Sequence, residues 1–312
     1  MVHLRNSQST LDDLPCLLHF EMQTSSSDRT GMKNATGVLP FEHTMLACYI
    51  DDSADAQQKT IYSVAGFVAE SAEWFDVSRY WSRRLESEGL DYFRTYECVN
   101  LEGEFRRKLV DRHGLTTARV IADAVLADLK QIVATSNLYA FCMGVLMDDY
   151  RQVSSEPDGE IVLNKDPYVF AHQMFIGIVL GEVRKFPYRQ IVAFHYDEHS
   201  KAEMFQRSWE GYKECNPNWA ESAGVLEPLD DKRNVPVQVA DLLAHTTTRM
   251  FQQWRHEPEA AVARMKGWLK GNLMRLPYTN AEFLRTLVAG NVERLRAKGA
   301  KGGLVVPVEV SG

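Results

Sequence analysis

MLACYID (residues 45–51) and IVAFHYD (191–197) decide the fold: each is a short apolar run that ends in an acid. By length and flanks both read as buried strands. IYSVAGFVA (61–69) follows the first at hairpin distance, and LYAFCMGVLM (138–147) is a further buried strand. Between and after them apolar residues recur at helical spacing. Trp74, Val77, Trp81 and Leu85 share one helical face, as do Ala118, Ile121, Val125, Leu129 and Ile132 after Thr117. Asp166-Pro167 places a cap before a first-turn proline and opens a helix that runs to Lys185. Ser200-Lys-Ala-Glu203 is a capping box for the next helix. Val237, Ala240, Ala244, Met250, Phe251 and Trp254 mark one more. A hairpin followed by strands alternating with helices implies an α/β fold, a mixed sheet flanked by helices.

Outward from this core the composition changes. Residues 1–43 are rich in Ser, Thr, Asp and Asn, with LLHFEM (17–22) as an apolar island, and read as a mobile extension. The main domain is expected over 44–255. Residues 256–312 are expected to form a helical extension and tail. Two helical stretches follow Pro258, the second opened by a capping box at Thr279-Asn-Ala-Glu282, before a Gly/Lys-rich end.

The chain has 312 residues, enough for a full core, and a formal net charge of −7 with pI near 5.8. That balance argues against passive coating of nucleic acid, which rests on neutralised phosphates, but leaves room for an enzyme with a local basic channel. The five cysteines include no Cys-x-x-Cys pair and fit reduced thiols. The first residues lack the apolar stretch of a secretion signal, and no apolar run approaches the roughly 18 residues of a membrane span. A cytoplasmic protein without a membrane partner is the expectation.

The acids carry the functional argument. Tyr-Ile runs into Asp51-Asp52, and His-Tyr into Asp197-Glu198. In open α/β sheets the working crevice lies at the carboxyl ends of strands. Side chains alternate faces, so one acid of each pair points at a common site: Asp51, on the face of Tyr49, and Asp197, on the face of His195. On neighbouring strands about 5 Å apart they would repel, and a cation would relieve them. Hard oxygen ligands suit Mg2+ or Mn2+. Taken singly, each pair is better explained by an acid in a surface turn. A third acid, Asp241, lies in the nearly uncharged run VPVQVADLLA, on a polar stripe of Gln238, Asp241, His245, Thr248 and Gln252. A tightly docked helix puts it at or below the surface, where a lone carboxylate needs a partner. The plainer reading is a polar rim in the N-terminal half of a helix. Glu97 sits among aromatic residues, but local spacing does not select it over Glu102 or Glu104.

Other residues weigh less. His195 and His199 flank Asp197 without further zinc ligands at suitable spacing, which favours packed or surface histidines. His245 is equally a proton shuttle or a polar-stripe residue. Lys232 and Arg233 meet a phosphate or merely occupy a solvated loop. Trp74, Trp81, Trp209 and Trp254 read as core, and the basic residues of the C-terminal helices as a solvated face.

Together these segments resemble the family catalogued as domain of unknown function 3800, whose members are assigned to the ribonuclease H-like fold. The matching pieces are Tyr49-Ile50-Asp51-Asp52-Ser53, with Ala54 in place of glycine; Val64-Ala65-Gly66-Phe67; Tyr96-Glu97-Cys98; the strand ending at Asp197; and Lys232 with Pro236-Val237-Gln238-Val239-Ala240-Asp241-Leu242-Leu243-Ala244. The likeness spans residues 45 to 255, and its last motif is the most specific. It implies that Asp51, Glu97, Asp197 and Asp241 are catalytic metal ligands for Mg2+ or Mn2+, with Lys232, Gln238, His245 and Ser53 around substrate or site. A two-ion phosphodiester hydrolase acting on nucleic acid follows from the fold. The rival expectation is a binding module, for nucleic acid or protein, that keeps the fold and acids without turnover. A glycosidase using two of the carboxylates is the third.

Overall fold

A computed structural model describes residues 43–55, 59–163, 166–185, 189–198, 202–215, 217–254, 257–269, 273–275 and 278–297. The expected N-terminal extension before residue 43, His199, Ser200 and the tail from 298 lie outside the described residues.

The chain opens with the hairpin that the sequence announces. β1 (His43–Ala54) and β2 (Ile61–Glu70) pair antiparallel, and α1 (Ser71–Glu86) follows, burying Trp74, Val77, Trp81 and Leu85. A stretch of short, irregular turns then carries α2 (Thr95–Asn100), α3 (Gly103–Phe105), a π-helical turn (Arg106–Val110) and α4 (Asp111–His113). α5 (Leu115–Thr135) starts after Gly114, not at the expected Thr117. Gly114 has a positive φ of 76°, which lets the chain reverse into the helix.

β3 (Tyr139–Leu146) pairs antiparallel with β2. Three helices follow: α6 (Met147–Ser154), α7 (Pro157–Val162) and α8 (Pro167–Val183). The Asp166 carboxylate caps α8 by accepting from the Tyr168 N–H at 2.9 Å, as the Asp-Pro pair implied. β4 (Arg189–Asp197) then runs parallel to β1, followed by α9 (Ala202–Cys215), α10 (Pro217–Ala220) and β5 (Ala223–Leu229).

α11 (Val235–Trp254), α12 (Pro258–Leu269), β6 (Leu273–Arg275), β7 (Tyr278–Thr279) and α13 (Ala281–Ala297) complete the described chain. The C-terminal part is helical, as expected, but β6 and β7 also pair with β3 and so join the sheet. The cap of α13 is Asn280, whose Oδ1 accepts from the Phe283 N–H at 2.8 Å; Thr279, expected in that role, lies in β7.

The sheet runs β5-β4-β1-β2-β3, with β1 to β3 an antiparallel meander and β4 and β5 parallel to β1. Both faces are covered, giving the mixed sheet flanked by helices. Alternate residues of β1 go to opposite cores. Cys48 and Ile50 pack with α8, α9 and α13, while Ala47 and Tyr49 pack with α1, α5, α11 and α12. α11 crosses the second face over β1, β2 and β3. Its far end presses Phe251 onto Gly144 of β3, where a Cβ would stand 2.5 Å from the ring. Only glycine admits that approach, and it fixes the height of α11 above the sheet. Among the described residues no helix is long and apolar enough to cross a membrane.

Candidate functional site

The parity of β1 and β4 sets the site. Tyr49 and His195 are register partners, and their rings stack at 4.9 Å. Two residues further along each strand, on the same face, stand Asp51 and Asp197. α11 lies over this end of β1 and brings Asp241 above them. Asp52 goes to the other face, near Tyr62.

Electrostatics show how closely the three acids meet. Burial pushes the Asp51 carboxyl well up, and Asp241, Asp52 and Asp197 push it further. Its compensation is the Asp52 backbone N–H, which donates to Oδ1 at 2.8 Å. Burial also raises Asp241, against which the Thr95 N–H donates to Oδ2 at 2.6 Å. Asp197 is raised to about 7, first by burial and then by Asp231, with Arg94 and the Asp231 backbone pulling the other way. All three side chains remain part-accessible. They form a like-charge crevice and not a formed coordination shell: among the described residues no group of three or more His, Cys, Asp or Glu side chains is arranged to hold a metal ion.

Arg94 and Asp231 escaped the sequence reading. Arg94 forks onto Asp231, with Nε to one carboxylate oxygen and Nη2 to the other at 2.7 Å. Asp231 is buried; the Arg94 side chain keeps 39% of its surface exposed. Asp197, Glu97 and Asp241 also feel this guanidinium, which makes it the cation of the crevice. No signal in the sequence could have found Arg94 and Asp231, since nothing in the spacing pairs residues 137 positions apart.

Glu97 stands on α2, two residues past Thr95, with its carboxylate turned to its own loop. It accepts from the Tyr92 hydroxyl at 3.2 Å and from the Glu104 N–H at 2.7 Å. Gly103, at φ +47°, lies so close that a Cβ would sit 2.1 Å from a Glu97 oxygen. The chain therefore brings Glu97 to the edge of the crevice, near Arg94, and holds it there.

The remaining candidates divide. Lys232 is exposed, with Nζ 5.2 Å from the centre of the Tyr92 ring, beside Glu97. Gln238 is buried and fully engaged. Its Oε1 accepts from Trp81 Nε1 and the Phe93 N–H, both at 3.1 Å, and its Nε2 donates to the Asp231 carbonyl at 2.8 Å. It thus holds the Arg94 and Asp231 segments in place, so of the two expected roles, around substrate or site, its contacts are those of a residue that orients the site. Ser53 follows Asp51 on the same strand face and gives its carbonyl to the Ser63 hydroxyl at 3.3 Å. His245 is pushed down to about 4 by burial, then by Arg249 and Lys130. The charges it feels are basic, so it stands apart from the acids. His195 is packed, as expected, and lowered by burial.

No family model matches the sequence, and no curated protein matches it. Solved structures do. Bst-RNase HIII in complex with Mn2+ is similar over 82% of this chain and 71% of that chain, at 13% identity and a TM-score of 0.35. A point mutant of the same Bst-RNase HIII is similar over 86% of this chain and 77% of that chain, at 13% identity and a TM-score of 0.34.

Proposed function

We propose that this chain is a divalent-metal-dependent phosphodiester hydrolase of nuclease type. We also propose that it is a member of the family catalogued as domain of unknown function 3800, on the strength of the Pro236–Ala244 motif and the placement of Asp241 over Asp51. The observation that carries the functional reading is the part-accessible Asp51 carboxylate, on which Asp241, Asp52 and Asp197 act against the hydrogen bond from the Asp52 N–H. Such a group is tolerated if it is protonated or if a cation enters.

The donor set fits a hard divalent cation: carboxylate oxygens from two adjacent strands and one helix, without sulfur. Asp51, Asp197 and Asp241 would hold it, with side-chain closure, and Glu97 would meet it from the rim. A bound Mg2+ or Mn2+ would supply Lewis acidity at a phosphoryl oxygen. The chain supplies the rest. Arg94 offers the exposed part of its guanidinium to a non-bridging phosphate oxygen, a pairing that suits its fixed fork of donors. Asp197, raised to about 7 in the crevice, would release its proton as the cation enters. Gln238 keeps Arg94 and Asp231 in register with the acids. Nucleic acid is the proposed substrate.

The test is cleavage of single- and double-stranded DNA and RNA with Mg2+ and with Mn2+, beside calorimetric titration of Mn2+ alone. Cation binding and cleavage that both vanish in D51N are expected. Absence of cleavage with either ion on all four substrates sinks the hydrolase. The second reading, a binding module without turnover, draws on Glu97, whose carboxylate is already spent on Tyr92 and Glu104. It predicts nucleic-acid or protein binding that D51N leaves unchanged.

A further inference from the structure

The end of the sheet away from the acids holds a cavity of about 360 Å³. Leu46 of β1 lines it, roughly 17 Å along the strand from Asp51. Val68 of β2, Phe141 of β3 and Val183, the last residue of α8, make an apolar inner wall. The other wall is polar and includes Glu70, Glu73 and Gln190. The volume is near the low end of ligand pockets, about 300–1,000 Å³, so it admits a small molecule or one side chain and not a folded partner.

The polar wall offers acceptors and lacks donors to meet them. Gln190 Oε1 is buried without a hydrogen-bond partner, an arrangement that costs stability until a donor arrives. Glu70 stands at the N-cap of α1, but its side chain does not turn back to cap the helix. Among the described residues it has no ion-pair partner. Glu73, in the first turn of α1, accepts from the Asn137 N–H at 2.9 Å and from Asn137 Nδ2 at 3.2 Å, which holds its carboxylate at the cavity. The described residues lining the cavity include no Lys, Arg or His. The cations that follow Val183 look elsewhere: Arg184 lies over the Trp219 ring at 5.8 Å, and Lys185 Nζ is 3.1 Å from Glu182. The N-terminus of α1 sets only about half a positive charge against the two carboxylates.

We propose that this cavity binds a primary alkylammonium. Its apolar stem lies against Val68, Phe141 and Val183, and its head meets Gln190, Glu70 and Glu73. An ammonium carries three donors and no acceptor, which answers a wall of acceptors without a base. The stem displaces water from apolar surface, as the inner wall requires. An alcohol of the same length would bring one donor and no charge, and a carboxylate would be repelled. The cavity shares no residue with the acid crevice, so the inference stands whether or not the chain is a hydrolase.

The experiment is calorimetric titration of the full chain by n-hexylammonium chloride, with 1-hexanol as the uncharged match. The ammonium should bind at least about tenfold more tightly than the alcohol. E70Q/Q190L should erase that preference and leave the alcohol's affinity unchanged. Its urea midpoint should not fall, because Glu70 has no ion pair and Gln190 Oε1 no hydrogen bond to lose. E70Q alone, at an exposed position, guards against a folding defect and should weaken the ammonium severalfold. A lysine side chain has the same chemistry, so Nα-acetyl-lysine N-methylamide is the second arm. Binding at least as tight as hexylammonium assigns the site to a peptide lysine, and weaker binding assigns it to a free amine. A wild-type chain that binds the ammonium no more tightly than the alcohol, or E70Q and E70Q/Q190L variants that keep the whole preference, overturns the proposal.

Discussion

Gln238 and Asp241 lie three residues apart on α11, and both are polar groups set into the interior side of that helix. Their surroundings are opposite. Gln238 meets two donors and one acceptor of the protein, so its amide is spent. Asp241 receives one backbone N–H and faces other carboxylates. A satisfied buried group holds a fold together, whereas a buried charge that the fold leaves opposed is waiting for a partner from outside. That contrast, and not burial or polarity, separates scaffold from site here.

The contrast is sharpest in the sign of mutational effects. Q238L removes the partner of Trp81 Nε1, the Phe93 N–H and the Asp231 carbonyl at once. At about 1–3 kcal/mol for each group left unpaired, the loss in urea unfolding should be about 3 kcal/mol or more. A loss under about 1 kcal/mol would break the claim that this residue is scaffold. R94M comes next, because it strands the buried Asp231 carboxylate. Allowing for the part-exposed guanidinium, about 2 kcal/mol is expected. R94M/D231N should recover most of that loss, and a double-mutant cycle with no coupling would remove Arg94 from the crevice.

D51N should act in the opposite direction. An amide keeps the acceptor for the Asp52 N–H and discards the charge that Asp241 and Asp197 oppose. Without metal the variant should be more stable than the wild type, on the order of 1 kcal/mol. With saturating Mn2+ the order should invert, because the cation stabilises only a chain that holds it. A D51N chain less stable than the wild type under both conditions would place Asp51 with Gln238, as scaffold.

The fold was readable because it rests on local patterns. The continuous apolar runs at 45–51, 61–69 and 191–197 and the helical faces at Trp74–Leu85 and Val237–Trp254 carry their burial in their own residues. The strand parity of Asp51 and Asp197 followed from the same rule. β6 and β7 were missed because strands of three and two residues have no period to detect. Arg94, Asp231 and the particular partners of Gln238 were missed for a different reason: they depend on contacts 137 and more positions apart, and side-chain partners at that range leave no local trace. Glu97 was reached only through the family likeness, since its selection over Glu102 depends on Gly103 making room for it.

The smallest effect is the most diagnostic, because it follows protons on one side chain. Asp197 is raised from 3.8 to about 7 in the folded chain. Below about pH 4 the carboxyl is protonated whether the chain is folded or not, and it contributes nothing to the balance. Between about pH 4 and 7 the folded chain keeps the proton that the unfolded chain has lost, so stability falls as pH rises; above about 7 the penalty is constant. Acids shifted the other way, such as Asp55, which its hydrogen bonds with Thr60 and Ile61 hold low, act with the opposite slope and are common to both chains compared. The difference in unfolding free energy between wild type and D197N should therefore move steadily against the wild type over that window and be flat outside it. Saturating Mn2+ should flatten it inside as well, since a cation beside Asp197 favours the carboxylate and draws its pKa back down. A difference that does not vary with pH would mean that Asp197 lies in ordinary solvent, and the crevice would lose one of its two strand-borne walls.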